Sequence, residues 1–491
     1  MTDDRPSPRP RDVAVHDGEA PGAPAMNARE LAALTGGRLL RTSNRPIRGA
    51  AVDARLVAPG ELFVALRGER TDGHRFLAEA ARAGAAALLV SDSIPSDELH
   101  RLGDVTVVRV RDALRGLHAI AAGWRARFDP LVVGVTGSIA KTSTKEAVAT
   151  VLAADRRTLR SEGNQNNEIG LPLTILRLGP EDEAAVLEMG MYVGGEIADL
   201  ARIARPRIGV VTAVLGVHLS RIGSIDAIEA AKAELVEALP ADGVAVLNAD
   251  DPRVRRMAAR TTARVLGYGF ASDAEVGAED VASAGLDGMR FSLRLPPPAG
   301  RVPVTIPALG RLSVHNALAG AAVGLAAGMT PAAIAAALAG GWTAPHRGQV
   351  VRAGGITFVD DAYNASPASV TAALELLAGL PGRRVAVLGE MLELGEASAA
   401  GHRDVGRAAG PICDLLCVVG TGPGPAAIAA GAAEAGLGEA RIIRAEGREA
   451  AAASLVSVLR PGDVVLVKAS RGIELERLVD DLVARLAGPA A

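Results

Sequence analysis

Between residues 131 and 152 the chain runs Leu131-Val-Val-Gly-Val-Thr-Gly-Ser-Ile-Ala-Lys-Thr-Ser-Thr-Lys-Glu146, followed by Ala147, Val148, Val151 and Leu152 at helical spacing. The apolar run Leu131 to Val135 suits a buried parallel strand. Strand, a loop holding Gly134 and Gly137, then Lys141-Thr142-Ser143 opening a helix is the order of a phosphate-binding loop. In such a loop the backbone N–H groups at the helix N-terminus, from Gly137 and Ser138 onward, face the anion. Lys141 adds a point charge, and the hydroxyl of Thr142 or Ser143 reaches Mg²⁺. Ala140 stands where a glycine normally precedes the lysine. Its methyl group is disfavoured if the backbone there needs a positive φ.

Further groups fall at predicted strand ends, where parallel α/β sheets collect their ligand-binding side chains. Glu188 ends the strand Ala184 to Leu187, His218 follows Ile208 to Val214, and Asn248-Ala-Asp-Asp-Pro252 follows Gly243 to Leu247. A carboxylate such as Glu188 is an oxygen ligand of the kind Mg²⁺ prefers, and His218 is a softer one. Lys232 lies on the helical stretch Ala227 to Leu239, three residues after Glu229; spacing alone suggests a solvated, salt-bridged lysine. Two later clusters, Asp360-Asp-Ala-Tyr-Asn364 and Lys468-Ala-Ser-Arg471, share one edge of a predicted sheet, and their Lys and Arg suit carboxylates or phosphates. Near the N-terminus, Asp53, Arg55, Asp72, Gly73 and His74 gather at turns between short strands.

These groups need elements to hold them. Residues 1–25, rich in Pro, Asp and Arg, read as a disordered tail. Asn27 to Glu30 suits a helix start, and 26–112 a small N-terminal α/β domain. Residues 113–344 alternate strands and helices around the phosphate loop, with a β-rich insert at 265–306 and an Ala-rich helix from Asn316. Residues 345–491 predict a Rossmann-like unit with strands at Ile356–Val359, Arg384–Leu388, Leu415–Val419, Arg441–Ile443 and Val464–Val467. The 53 basic and 56 acidic residues nearly balance, and aromatics are 2%, so neither charge nor stacking points to nucleic acid. No apolar run reaches the ~20 residues of a membrane span. Cys413 and Cys417, spaced by four in a predicted apolar strand around Leu415 to Val419, are expected to share one face as buried free thiols of a reducing cytoplasm.

Taken together, Asn164-Gln-Asn-Asn-Glu-Ile-Gly-Leu-Pro172, Asp360-Asp-Ala-Tyr-Asn-Ala-Ser-Pro367 and Leu388-Gly-Glu-Met-Leu-Glu-Leu-Gly395 resemble the Mur ligases of bacterial cell-wall synthesis. The resemblance runs from about Met26 to the C-terminus. It implies an N-terminal domain for a UDP-sugar, a central ATPase and a C-terminal domain for the amino substrate. The implied reaction is ATP-dependent joining of D-alanyl-D-alanine to UDP-MurNAc-tripeptide through an acyl phosphate, in the cytoplasm and by a monomer. The alternatives are a paralogue joining another acid or amine, and a non-catalytic nucleotide binder. By resemblance Lys141 holds the β/γ-phosphates; Thr142, Glu188 and His218 bind two Mg²⁺; and Lys232 is carbamylated to orient the second ion. Asn248 and Asn316 contact adenine, with Arg347 and Asp361 on the nucleotide side. Tyr363, Asn364, Lys468, Ser470 and Arg471 line the amino-substrate side. Asp53, Arg55, Asp72, Gly73 and His74, with Asn164, Asn166 and Asn167, face the UDP-sugar substrate. The chain departs from the family pattern at Ala140, at Ala54 and Ser366, at Leu312-Ser313, and at Ala469.

Overall fold

The structure is a computed structural model that describes residues 24–68, 71–216 and 222–486. His218 and all but the last two residues of the expected tail lie outside the described residues. The chain forms two compact units. One comprises the chain up to Gly134 with Val151–Gly190 and Glu196–Ile208; the other comprises Val135–Thr150, Met191–Gly195 and the chain from Gly209.

The N-terminal sheet has five strands in the order Arg38–Arg41, Thr106–Arg109, Ala87–Val90, Leu62–Val64 and Ala50–Ala51, parallel except at the first pair. The helix before it, Ala28–Thr35, is capped as expected: the Asn27 side chain accepts the Glu30 amide.

Nine strands form the sheet carrying the glycine-rich loop. Their order is Arg301–Ile306, Met289–Arg294, Val276–Ser283, Arg264–Gly269, Val244–Asn248, Ile208–Val211, Leu131–Thr136, Ala184–Glu188 and Thr158–Arg160. The first four strands of this order span the β-rich insert: the first three pair antiparallel, and Arg264–Gly269 pairs parallel with Val276–Ser283. Leu131–Thr136 is buried beyond its first residue, which is why it reads as an unbroken apolar run.

The strand expected over 208–214 stops at Val211. Thr212 to Val214 instead turn towards neighbouring loops: the Ala213 carbonyl accepts the Ser138 amide (2.8 Å), and the Val214 amide donates to Asp251 (2.7 Å).

The C-terminal sheet has six strands in the order Gln349–Ala353, Ile356–Asp360, Asp463–Lys468, Arg383–Gly389, Leu415–Val419 and Ile442–Ala445. All neighbours are parallel except Gln349–Ala353, an antiparallel edge strand absent from the sequence-based expectation. Two apolar clusters cover its faces. Leu416 and Val418 enter one; Leu415, Cys417 and Val419 enter the other, as the period of two requires. Cys413 packs with Leu416 and Val418, not with Cys417. The shared-face expectation therefore fails, because Cys413 precedes the strand and does not follow its alternation. Both thiols are free and buried, and burial pushes each up to about 12.

Candidate active site

The helix Lys141–Ala153 starts directly after the loop Gly137 to Ala140. Gly137 has φ +152°, and a Cβ built there would lie 1.8 Å from Thr212 Oγ1. Only glycine fits so close an approach. Thr212 Oγ1–H donates to the Ile139 carbonyl (2.6 Å), and Ser138 Oγ both donates to Leu215 O (3.1 Å) and accepts its amide (2.9 Å). The loop is thus tied to the segment after Val211 on both sides of its turn. Ala140 has φ +60°, the left-handed region that explains why a glycine is usual there. Lys141 folds its Nζ back to the Gly137 carbonyl (2.8 Å), over the loop it would serve.

Lys232 sits on the helix Ile225–Glu237 and is 3% exposed. Glu229 is not its partner: that carboxylate pairs with Arg253 and Arg256, each at 2.7 Å. The solvated ion pair suggested by spacing is therefore replaced by a buried lysine. Burial, and then the neighbouring charge of Lys141, hold its amine well below the ordinary lysine value. Such an amine is unprotonated far more often than a surface lysine and is correspondingly nucleophilic.

Asn248, at the end of its strand, and Asn316, on the helix Gly310–Ala326, are both buried. Asn248 donates its amide N–H to Thr212 O (2.7 Å), while its Oδ1 accepts from His315 Nε2 (3.0 Å) and the Asp250 amide (2.8 Å). Asn316 Oδ1 accepts the hydroxyl of Thr144 (3.0 Å), on the helix that follows the loop. Burial pushes the Asp250 carboxyl up, but hydrogen bonds from His315 and from the Phe270 and Ala271 amides outweigh it, leaving it below its ordinary value. Beyond this network, Arg311 stacks 3.8 Å over the Phe270 ring.

In the first unit, Glu188 is buried at its strand end and accepts Asn166 Nδ2–H (2.8 Å). The Asn164 carbonyl accepts the Asn166 amide, and Asn167 Oδ1 accepts the Gly170 amide (2.8 Å) at the start of a short helix. Asp53 and Arg55 form an exposed ion pair at 2.6 Å. Gly73 lies so close to the Leu66 backbone that a Cβ would meet it at 2.8 Å. His74 Nε2 accepts the Ser91 amide (2.9 Å), which leaves its proton on Nδ1 to donate to Asp72 (2.6 Å). These two bonds fix the ring, and the backbone and side-chain hydrogen bonds from His74 hold the Asp72 carboxyl at about 2.

At the carboxyl edge of the C-terminal sheet, Lys468 is 3% exposed and donates to Asp361 Oδ2 (2.6 Å) and Asn364 O (3.0 Å). Arg347 lies 4.0 Å over the Tyr363 ring, and Arg471 donates to the Tyr363 hydroxyl (3.2 Å). The residues expected on the nucleotide side (Arg347, Asp361) and on the amino-substrate side (Tyr363, Lys468) are therefore direct partners. Ser366, one of the departures, caps the helix Pro367–Ala378 in a reciprocal box with Ser369.

Three family profiles match the chain: the Mur ligase catalytic domain over 46–125, the Mur ligase middle domain over 135–324, and the Mur ligase glutamate ligase domain over 346–471. The UDP-N-acetylmuramoyl-tripeptide–D-alanyl-D-alanine ligase of Mycobacterium tuberculosis is 38% identical over 94% of this chain and 98% of its own length. The chain belongs to the Mur ligase family. A ligase of the same description from Bacillus subtilis is 35% identical over 89% of this chain and 93% of that relative. Among solved structures, MurF from Acinetobacter baumannii superimposes with a TM-score of 0.84 at 28% identity, covering 94% of this chain and 99% of its own. MurF from Thermotoga maritima in complex with ADP gives 0.78 at 30% identity, covering 90% and 99%.

Sequence reasoning missed Thr212, His315, His346 and His402 in this Mur ligase. His346, at φ +58°, donates from Nδ1 to buried Asp360 (2.7 Å), and its carbonyl accepts the Tyr363 amide (3.1 Å). It thereby steadies the turn that carries Arg347. No periodic signal marks these residues; each acts through a partner distant in sequence.

Proposed function

We propose that this chain is the ligase that joins D-alanyl-D-alanine to UDP-MurNAc-tripeptide at the expense of ATP, releasing ADP and phosphate. The observation that carries this reading is the loop at Gly137, closed against Thr212 and opening a helix at Lys141, in a chain that aligns over most of its length with ligases of that description.

A carboxylate is a poor acyl donor at neutral pH. Transfer of the γ-phosphoryl group to it creates a mixed anhydride. The amine of the dipeptide then attacks the acyl carbon, and the tetrahedral adduct expels phosphate and leaves an amide. The protein's part is positioning and charge neutralisation. Gly137, Ser138, Ala140 and Ser143 frame the phosphate loop, and Lys141 swings from the Gly137 carbonyl to the β/γ-phosphates. Thr142 and Glu188 are oxygen donors of the kind Mg²⁺ takes, with His218 as a further ligand. When bound, Mg²⁺ offsets the charge on the phosphates.

Lys232 fits carbamylation. A buried, unprotonated amine adds to CO₂, loses a proton and becomes a carboxylate facing the charge of Lys141. Asn248 and Asn316 flank the adenine, and Arg347 and Asp361 the rest of the nucleotide. Tyr363, Asn364, Lys468, Ser470 and Arg471 take the zwitterionic dipeptide. Asp53, Arg55, Asp72, Gly73, His74, Asn164, Asn166 and Asn167 serve the UDP-sugar side. In this reading residues 26–112, 113–344 and 345–491 are the three functional domains of a cytoplasmic monomer.

The test is phosphate release from MgATP with UDP-MurNAc-tripeptide, with and without D-alanyl-D-alanine. Release that needs both substrates, together with a pentapeptide product by mass, is expected. Folded protein with no turnover would overturn the reading.

A further inference from the structure

At the carboxyl end of Arg383–Gly389 the chain turns through Glu390, Met391 and Leu392, beside the end of its sheet neighbour Asp463–Lys468. Two consecutive amides of this turn are each held by a buried side chain. Met391 N–H donates to His402 Nε2 (2.9 Å), and Leu392 N–H donates to Ser470 Oγ (2.9 Å). The Ser470 amide returns a bond to the Glu390 carbonyl (3.1 Å).

His402 is fully buried, and its Nδ1–H donates to Ser398 O (2.7 Å), which leaves Nε2 as the acceptor that Met391 requires. The imidazole also fills the space at Gly424, where a Cβ would lie 2.7 Å from Nε2. Burying an imidazole and a hydroxyl to satisfy two adjacent loop amides fixes the turn far more tightly than solvent would.

The turn presents Leu392, 42% exposed, towards Gly472: a Cβ on that glycine would lie 3.1 Å from Leu392 Cδ1. A single exposed leucine needs no explanation by itself. A leucine set by two buried posts beside Arg471, at the strand ends where ligands of open parallel sheets bind, does. We infer that Leu392 is a wall of the amino-substrate pocket, making apolar contact with a small methyl side chain of the dipeptide, and that His402 is the positioning residue that holds it there. Arg471 would meet the carboxylate of the same substrate. The inference rests on the ligase reading above and specifies its amino-substrate side.

The experiment is steady-state phosphate release, varying dipeptide and ATP separately, with thermal melts as the check on folding. Leu392→Ala shortens an exposed side chain and should fold normally; it is expected to raise KM for D-alanyl-D-alanine about tenfold, the scale of a few lost methylene contacts. KM for ATP should stay within about twofold. His402→Asn keeps a donor near Ser398 O and loses the acceptor for Met391, and should raise the dipeptide KM about tenfold as well. His402→Gln can place its Oε1 acceptor where the imidazole Nε2 stood and should recover most of that loss. Folded variants with unchanged dipeptide KM, or with both KM values raised alike, would overturn the inference. If His402→Asn fails to fold, Leu392→Ala decides alone. A wild-type protein that turns over only with another amine would overturn the ligase reading, and the same KM split measured with that amine would still decide the role of the turn.

Discussion

Ala140 and Lys232 each hold a conformation or a charge state that their residue type resists. A left-handed L-residue costs about 1–2 kcal/mol, and glycine's extra freedom in the unfolded chain costs about 0.5–1 kcal/mol. The first term exceeds the second, so Ala140→Gly should stabilise the protein by about 0.5–1 kcal/mol in urea unfolding. It should bind ADP at least as tightly by calorimetry, since φ at this position is already that of a glycine loop. Lys232 is buried with its amine pKa lowered, first by desolvation and then by Lys141. Its ammonium form therefore penalises the fold, and without carbamylation stability should rise as pH climbs from the lowered value towards that of an ordinary lysine. Bicarbonate should raise the melting temperature of the wild type. Lys232→Arg, which cannot be carbamylated, should lose that response and at least about a hundredfold in kcat, the scale of a lost electrostatic group.

At the scale of elements, the loop and the segment after Val211 form one piece of structure. Gly137→Ala places a methyl group on Thr212 Oγ1 and should destabilise by about 1–3 kcal/mol while abolishing nucleotide binding. Adding Thr212→Ala should recover part of the stability, as a double-mutant cycle would show. In the first unit Asp72 caps the short turn Gly73–Phe76. Its folded carboxyl binds a proton less tightly than the unfolded one, at about 2 against 3.8. That contribution is intact above the unfolded value and is lost as pH falls through about 2. Asp72→Asn should flatten this acid limb of the stability profile and leave the neutral plateau lower.

For the molecule as a whole, a ligand that binds only the folded chain stabilises it by mass action. MgADP at a hundred times its Kd adds about 2.7 kcal/mol, worth about 3 °C of melting temperature at about 1 °C per kcal/mol for a chain of 491 residues. Lys141→Met should remove most of that rise without changing the melt of the free protein. A rise that survives the substitution would mean that the nucleotide sits elsewhere.

The sequence determined the glycine-rich strand–loop–helix at Gly137, the α/β alternation and most strands by itself, because strand apolarity, glycine at forced turns and cap chemistry are local signals. Leu131 to Val135, Asn27 and Gly137 declare themselves within a few residues. Tertiary structure decided the rest. Glu229 stands three residues from Lys232 yet pairs with Arg253 and Arg256, and the lysine goes into the interior. Cys413 and Cys417 stand four apart yet pack on opposite faces of their sheet. His346, His402 and Thr212 matter through hydrogen bonds to Asp360, Met391 and Ile139. Periodicity fixes which face of an element is apolar; which charged or hydrogen-bonding group meets which partner is settled only when separate elements pack.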